Sequence, residues 1–298
     1  MAGAGSANVP IKVQVWPTFR EAAGSVLGQL GLFLHLAWLP WLINVVFALW
    51  LQLAILVLRA PDAEPHIGEL ATRFLITLIV QVLCSNAFLV RWYQAVLYPN
   101  PDAWTRELFW QGYRRFLLYV AIIYGATVAL LIGLGGSGLL IALLGSVGAA
   151  PDDSTGPLGL LGLIGLGALY GWIIRCALIF PAAAYGRPLG FRAALLYLRG
   201  NTWRLIGAEL LGAGLTGFAA IPTVIAAVFL GSVIWAVSSG GTGPLPDAMA
   251  NSFPVAACLS IGQIAIAYFG LAIFASILSI FYRDIVLRPA SGAVNISV

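Results

Sequence analysis

The sequence predicts an all-α fold: a polytopic membrane helical bundle of six transmembrane helices in three hairpins with cytoplasmic interfacial helices. The first supporting observation is composition, because 61% of the residues are hydrophobic and 9% are charged. In soluble domains, about half of the residues are apolar and about a quarter are charged. The second is that six apolar runs are each long enough to cross ~30 Å of hydrocarbon as a helix. These runs are residues 25–58, 70–97, 116–147, 158–181, 203–237 and 254–287.

The six runs leave no large segment outside them, which predicts one membrane domain with short tails. We expect a cytoplasmic N-terminal tail at 1–17, the six-helix transmembrane domain at 18–287 and a cytoplasmic C-terminal tail at 288–298. The opening residues, MAGAGSANVPIKVQV, lack a charged n-region, and the apolar run after them is longer than the h-region of a signal peptide. The first span is therefore expected to remain in the mature protein.

The distribution of basic residues predicts the orientation of the bundle. With six crossings, 13 of the 15 basic residues fall on the side of the termini, and only Arg59 and Arg73 fall on the other side. Cytoplasmic loops of membrane proteins are enriched in Lys and Arg. Both termini are therefore expected in the cytoplasm. Topology and attraction to anionic lipid explain the positive charge, so no nucleic-acid partner is expected.

The residues before the first span predict an interfacial helix. Thr18 and Glu21 have the spacing of a capping box, and an apolar stripe follows them. The stripe consists of Phe19, Ala23, Val26, Leu27 and Leu30. We expect this helix to lie along the membrane surface. Gly24 and Gly28 have the small-xxx-small spacing that allows close helix contact.

The stretch LIGLGGSGLL in the third span fits two catalytic motifs. Gly133, Gly135 and Gly138 have the spacing of a dinucleotide-binding turn, but that turn needs a soluble βαβ unit. Residues 135–138 also read as the G-x-S-G of a rhomboid-type protease, which needs a histidine from a later helix. The two histidines are His35 and His66, and both precede the motif. No enzyme activity, catalytic residue or cofactor is therefore expected.

No metal site is expected either, because the three cysteines fall in three different spans without a nearby histidine pair.

The second, fourth and sixth spans end in similar strings, which predicts three related hairpins. Each string has an Arg followed six or eight residues later by a Pro: Arg91 and Pro99, Arg175 and Pro181, Arg283 and Pro289. Positive-inside bias alone would also place Arg at these ends, so the repeat stays one of two explanations.

The segment GFRAALLYLRGNTWRL leads into the fifth span. Its Arg192 and Arg199 are one heptad apart and are expected to share a helix face, with Arg204 further on. These arginines could bind lipid phosphate, and they could equally form an ordinary solvent-exposed helix face.

Three strings carry a family resemblance. FREAAGS near the start, RAALLYLRGNTWRL and the closing FYRDI resemble the six-helix bacterial membrane domain fused to some glycerophosphodiester phosphodiesterases. They are also similar to stand-alone inner-membrane proteins of uncharacterised function. The resemblance implies the six-helix fold and a location in the bacterial inner (cytoplasmic) membrane. It implies no catalytic residue here, because the phosphodiesterase uses histidines and carboxylates of a separate soluble barrel.

Polar residues interrupt the apolar runs. They are His35, Asn44, Gln52, Gln81, Asn86, Tyr124, Glu209 and Gln263. Uncharged ones are expected to form interhelical hydrogen bonds, whereas a carboxylate there either takes up a proton or pairs with a cation. Counted at 1.5 Å per residue from the ends of their spans, Arg175 and Glu209 both lie ~9 Å deep. We therefore expect Glu209 to contact Arg175, with Arg91 as the competing partner.

Two functions remain open at this point. The leading one is a non-enzymatic protein that organises or senses lipid, or serves as a membrane partner. Its candidate polar cluster or headgroup contacts are Arg91, Arg175, Glu209, Arg283, Arg192, Arg199 and Arg204. Its partners would be membrane lipids, anionic ones included, and either another protein or a second copy of the chain.

The alternative function is a transporter or permease for a small or lipid-like solute. Transport predicts a water-accessible path lined by His35, Asn44, Asn86 and Glu209. The lipid function predicts instead a closed centre, with the basic residues at headgroup depth.

Overall fold

The computed structural model describes residues 12–58, 67–98, 100, 105–133, 170–239 and 253–288. These ranges contain helices and no strand, so the predicted all-α class is confirmed for them. The helices are α1 (Val15–Gly28), α2 (Leu30–Leu58), α3 (Ile67–Leu97), α4 (Arg106–Gly133), α5 (Tyr170–Ala184), α6 (Phe191–Tyr197), α7 (Thr202–Ser239) and α8 (Phe253–Tyr282). A π-helical turn, Arg283–Leu287, continues α8.

Among the described residues, four helices are long and apolar enough to cross a membrane. Their candidate spans are Leu30–Ile55, Gly68–Leu97, Thr202–Val237 and Phe253–Leu287, which match the first, second, fifth and sixth predicted runs. The helix α5 is apolar but shorter. Residues 134–169, which include most of LIGLGGSGLL and large parts of the third and fourth predicted runs, lie outside the described residues.

The surface of α7 is typical of a helix that faces lipid. Its Phe218, Phe229 and Val237 are each largely exposed. Soluble monomers rarely expose apolar patches larger than a few hundred Å², whereas a helix in hydrocarbon needs such a surface. This surface indicates a membrane protein.

The helix α8 lies at the centre of the described bundle and packs against α1, α2, α3, α5 and α7. Its contacts with α7 run in opposite directions along the two helices, since Gly212 meets Ile273 and Gly231 meets Val255. The two helices are therefore antiparallel. A Cβ on Gly231 would lie 2.7 Å from Cα of Val255, so only glycine permits this approach.

The helix α1 begins earlier than the sequence predicts. It starts at Val15, and Thr18 donates a hydrogen bond from Oγ1 to the carbonyl of Gln14 at 2.7 Å. Thr18 is thus inside the first turn, and the predicted capping box is wrong. The buried side chains of α1 are Thr18, Ala22 and Val26, and the helix packs on α7 and α8.

The predicted close contact at Gly24 and Gly28 is also wrong. No atom of the described residues lies within 4 Å of the position that a Cβ would take on either glycine. The physical reason is the orientation of α1, because these residues lie away from the face that carries Ala22 and Val26. Close glycine packing occurs between α7 and α8 instead.

The packing is densest at the end of the bundle where α3 and α8 end and α7 begins. We call this end the basic end, because it carries Arg91, Arg204 and Arg283. The aromatic residues Trp92, Tyr93, Phe281 and Tyr282 are fully buried there. Trp92 donates from Nε1 to Oγ of Ser276 at 2.9 Å, which ties α3 to α8. Farther from this end the same helices separate and form the walls of a cavity.

Candidate functional site

A cavity of about 1550 Å³ lies between α3, α4, α5, α7 and α8, with Asn44 of α2 also in its wall. On α7 it is lined by Glu209, Gly212, Ala213 and Thr216, which share one helix face because residues three and four apart are neighbours. Along α8 its lining extends over 263–277, which corresponds to ~20 Å at 1.5 Å per residue. Most of the wall is apolar, and a few polar side chains interrupt it.

Glu209 lies in the wall of this cavity, on the second turn of α7. Its Oε2 accepts a hydrogen bond from the phenol of Tyr170 on α5 at 3.0 Å. The residue is only 6% exposed, and its Oε1 is buried without a hydrogen-bond partner among the described residues. The site therefore holds a carboxylate with one oxygen satisfied and the other unsatisfied.

The predicted pairing of Glu209 with Arg175 or Arg91 is wrong. The partner is Tyr170, and the described residues form no ion pair with Glu209. The prediction considered only how deep the two residues lie along their helices, and not which way each one points. Arg175 is five residues after Tyr170 and so points about 140° away from it around the helix. Arg175 is exposed.

Three of the predicted arginines make contacts within the protein. Arg91 donates from Nη1 to Oε1 of Gln94 at 3.4 Å, and its guanidinium lies 4.2 Å from the ring centre of Phe109. Arg204 donates to the carbonyl of Val13 at 2.7 Å. The partners of Arg283 are Glu21 of α1, at 2.8 Å, and the adjacent Asp284, at 3.1 Å.

The other three arginines of the predicted set are exposed: Arg175 on α5, and Arg192 and Arg199 at the basic end. Arg192 and Arg199 do not share one helix face as predicted, because α6 ends at Tyr197. Gly200 then takes a φ of +84°, which turns the chain before α7 begins. No hydrogen bond or ion pair of the described residues joins two of the seven predicted site residues, and lipid headgroups as partners stay a prediction.

Two asparagines complete the polar part of the cavity wall. Asn44 donates from Nδ2 to the phenol oxygen of Tyr268 at 2.8 Å. Asn44 is 5% and Asn86 7% exposed, yet Oδ1 of Asn44 and Nδ2 of Asn86 have no hydrogen-bond partner among the described residues. Burying a polar group without a partner costs free energy, and these atoms belong to residues of the cavity wall, where a bound polar group could complete their hydrogen bonds.

Three of the four residues expected along a transport path, Asn44, Asn86 and Glu209, line the cavity. His35 does not line it and is exposed on α2. Its imidazole is therefore not part of this site.

Sequence reasoning missed Tyr170, Ser85, Thr216 and Tyr268, all of which line the cavity. The signal was helical spacing: Ser85 is one turn after Gln81, and Thr216 is two turns after Glu209, so each extends a polar stripe on its helix. Tyr170 gave no such signal, because an aromatic residue in an apolar run is typical of any membrane helix.

The chemistry available to the site is hydrogen bonding, charge and apolar contact. No Lys, Arg or His belongs to the cavity lining in the described ranges. Within the same ranges no three His, Cys, Asp or Glu residues lie close enough together to hold a metal ion. The motif LIGLGGSGLL lies mostly outside them, so the expectation that it is not catalytic stays a prediction.

Comparison with known proteins adds no relative: no protein-family model, no curated protein and no solved structure matches this chain.

Proposed function

We propose that the chain is a six-span protein of the bacterial inner membrane, with three helical hairpins and both termini in the cytoplasm. Four candidate spans support this, as does the antiparallel packing of α7 and α8. The helices α4 and α5 contact each other through Gly112 and Ala184 and would begin and end the remaining hairpin. The placement of the basic residues supports cytoplasmic termini.

The function that the geometry supports best is binding of a lipid-like amphiphile inside the membrane domain. The observation that carries it is the cavity of about 1550 Å³, with mostly apolar walls and three buried polar side chains that have unsatisfied atoms. Small-molecule pockets commonly measure ~300–1,000 Å³, so this cavity suits a larger ligand. Apolar walls suit acyl chains, and Asn44, Asn86 and Glu209 suit a polar head.

A photoreactive amphiphile tests this function directly. The purified full-length protein would be irradiated with a probe carrying a diazirine in its alkyl tail, and the labelled peptides would be identified by mass spectrometry. We expect labelling of cavity residues on α3, α7 and α8. Labelling confined to the outer surface of the bundle would contradict the proposal.

A pair of variants on α7 controls this experiment. Ala213 lines the cavity, whereas Ala226 is exposed on the same helix and does not line it. Ala213→Trp should fill part of the cavity and reduce labelling of the cavity residues. Ala226→Trp introduces the same side chain and should leave their labelling unchanged, which separates loss of the site from a general effect of tryptophan.

Transport of a small or lipid-like solute is the second candidate function. It is favoured by the same wall residues, Asn44, Asn86 and Glu209, and by Pro40 and Pro222, which lie inside α2 and α7. Prolines in membrane helices permit bending around a substrate site. Flux of a cavity-bound amphiphile across proteoliposomes, abolished by Ala213→Trp, would support transport. Binding without flux would leave the protein as a lipid-binding one.

A further inference from the structure

No cation among the described residues pairs with the carboxylate of Glu209. No basic side chain belongs to the cavity lining in the described ranges. The two arginines predicted as its partners lie elsewhere, because Arg91 lies against Phe109 and Arg175 is exposed. A buried carboxyl group either takes up a proton or pairs with a cation, so a cationic ligand would hold Glu209 in its ionised form.

The hydrogen bonds of the same carboxylate indicate that its missing partner is a hydrogen-bond donor. Tyr170 satisfies Oε2 with one phenol hydrogen, and Oε1 is left without a partner among the described residues. A carboxylate oxygen only accepts hydrogen bonds. When Glu209 is ionised, the group that completes this site therefore carries an N–H or an O–H. A positive charge on the same group would make the bond charge-assisted and roughly twice as strong.

From these contacts we propose that the cavity selects amphiphiles whose head is a protonated primary or secondary amine, with Glu209 as the counter-charge. This rests on the proposed function, because it names the class of amphiphile that the cavity binds. The ammonium donates to Oε1 while Tyr170 keeps Oε2, and the tail lies along the apolar walls of α3 and α8. An anionic head is disfavoured, because it would place a second negative charge beside the carboxylate.

Three probes with the same diazirine tail, ending in a primary amine, a hydroxyl or a carboxylate, test the selection. The full-length protein would be held in nanodiscs of phosphatidylcholine, whose quaternary head has no N–H donor. We expect half-maximal labelling of cavity residues by the amine at a concentration at least about tenfold below that for the hydroxyl. The carboxylate probe should label most weakly. Equal labelling by the amine and hydroxyl probes would overturn the selection.

Glu209→Gln, with Tyr197→Phe as its control, assigns the selection to one group. Glu209→Gln keeps the side-chain size and an oxygen acceptor for Tyr170, and it should remove the preference for the amine while leaving hydroxyl labelling unchanged. Tyr197→Phe removes a hydroxyl from a residue that is exposed and does not line the cavity, and it should keep the preference. An unchanged amine preference in Glu209→Gln would overturn the proposal. If that variant does not fold, the ratio of amine to hydroxyl labelling in the native protein decides whether the cavity selects amines.

The probes also separate this inference from the proposed function. Labelling of the cavity by all three probes to the same extent, lost in Ala213→Trp, would retain the proposed function and overturn the amine selection. No cavity labelling by any probe would overturn both. Competition by an unlabelled single-chain amine or by a two-chain amine lipid identifies the source of the ligand, and either supports the proposal. Equal competition by tail-less ethylamine would contradict it.

Discussion

The phenol of Tyr170 donates a hydrogen bond to Oε2 of Glu209 at 3.0 Å, joining α5 to α7 beside the cavity. This bond is the only one that the described residues give to the Glu209 carboxylate. Tyr170 thus fixes the direction in which Glu209 points and leaves Oε1 for another group. The pairing gives the site one acidic group in a known orientation.

Tyr170→Phe should lower the stability of the protein without removing the cavity. Losing the Tyr170 hydroxyl leaves both oxygens of the Glu209 carboxylate unpaired, which should lower the free energy of unfolding by ~1–2 kcal/mol. Thermal unfolding in detergent measures this. Tyr197→Phe is the matched control, because Tyr197 is exposed on α6 and should show no change. An equal effect of both substitutions would show that the Glu209 contact contributes nothing.

Gly231→Ala should destabilise the packing of α7 on α8. The added Cβ would lie 2.7 Å from Cα of Val255, which is a backbone atom and cannot rotate away. Overpacking of this kind costs ~1–3 kcal/mol. Gly217→Ala on the same helix has nothing within 4 Å and is the control; it should be neutral or slightly stabilising. A neutral Gly231→Ala would contradict this helix contact.

Replacing Arg192 and Arg199 together by Gln should reduce the anionic lipid that purifies with the protein. Both are exposed at the basic end, and each charge near an anionic surface contributes ~1 kcal/mol at most. Mass spectrometry of the bound lipid measures the effect. Arg204→Gln serves as the comparison, because its guanidinium donates to Val13 and should contribute less. Unchanged lipid content in the double variant would count against headgroup binding.

The sequence was sufficient to predict which segments form the long apolar helices, but not how each helix is rotated about its own axis. Hydropathy identified α2, α3, α7 and α8 because the bilayer imposes a minimum apolar length. The depth of Glu209 follows from counting residues, yet its partner depends on which way α5 turns. Helix rotation is set by packing of many side chains at once, so Tyr170 and not Arg175 faces Glu209.

Details at helix ends were also beyond the sequence. Thr18 and Glu21 fit a capping box, but α1 starts at Val15, where the chain packs on α7 and α8. Likewise, Arg192 and Arg199 fit one helix face, but Gly200 turns the chain between α6 and α7. In the first place tertiary packing overrides a local pattern, and in the second a glycine turn interrupts it.

The topology prediction concerns the two termini and two loops. A reporter fused after Val298 should be active only in the cytoplasm. In a background without the native cysteines, single cysteines at Asp153 and Thr242 should react with an impermeant reagent added from outside. A cysteine at Arg199 should react only after the membrane is opened. Labelling of the two loop positions only from within would reverse the orientation.

The central claim is that the cavity beside Glu209 holds an amphiphile, and a structure of the protein in a native-lipid nanodisc measures this most directly. We predict an elongated density between α3, α7 and α8, with its polar end within hydrogen-bonding distance of Oε1 of Glu209. Ala213→Trp should remove that density. A cavity filled by side chains of this chain itself, with Oε1 bonded to one of them, would contradict the account.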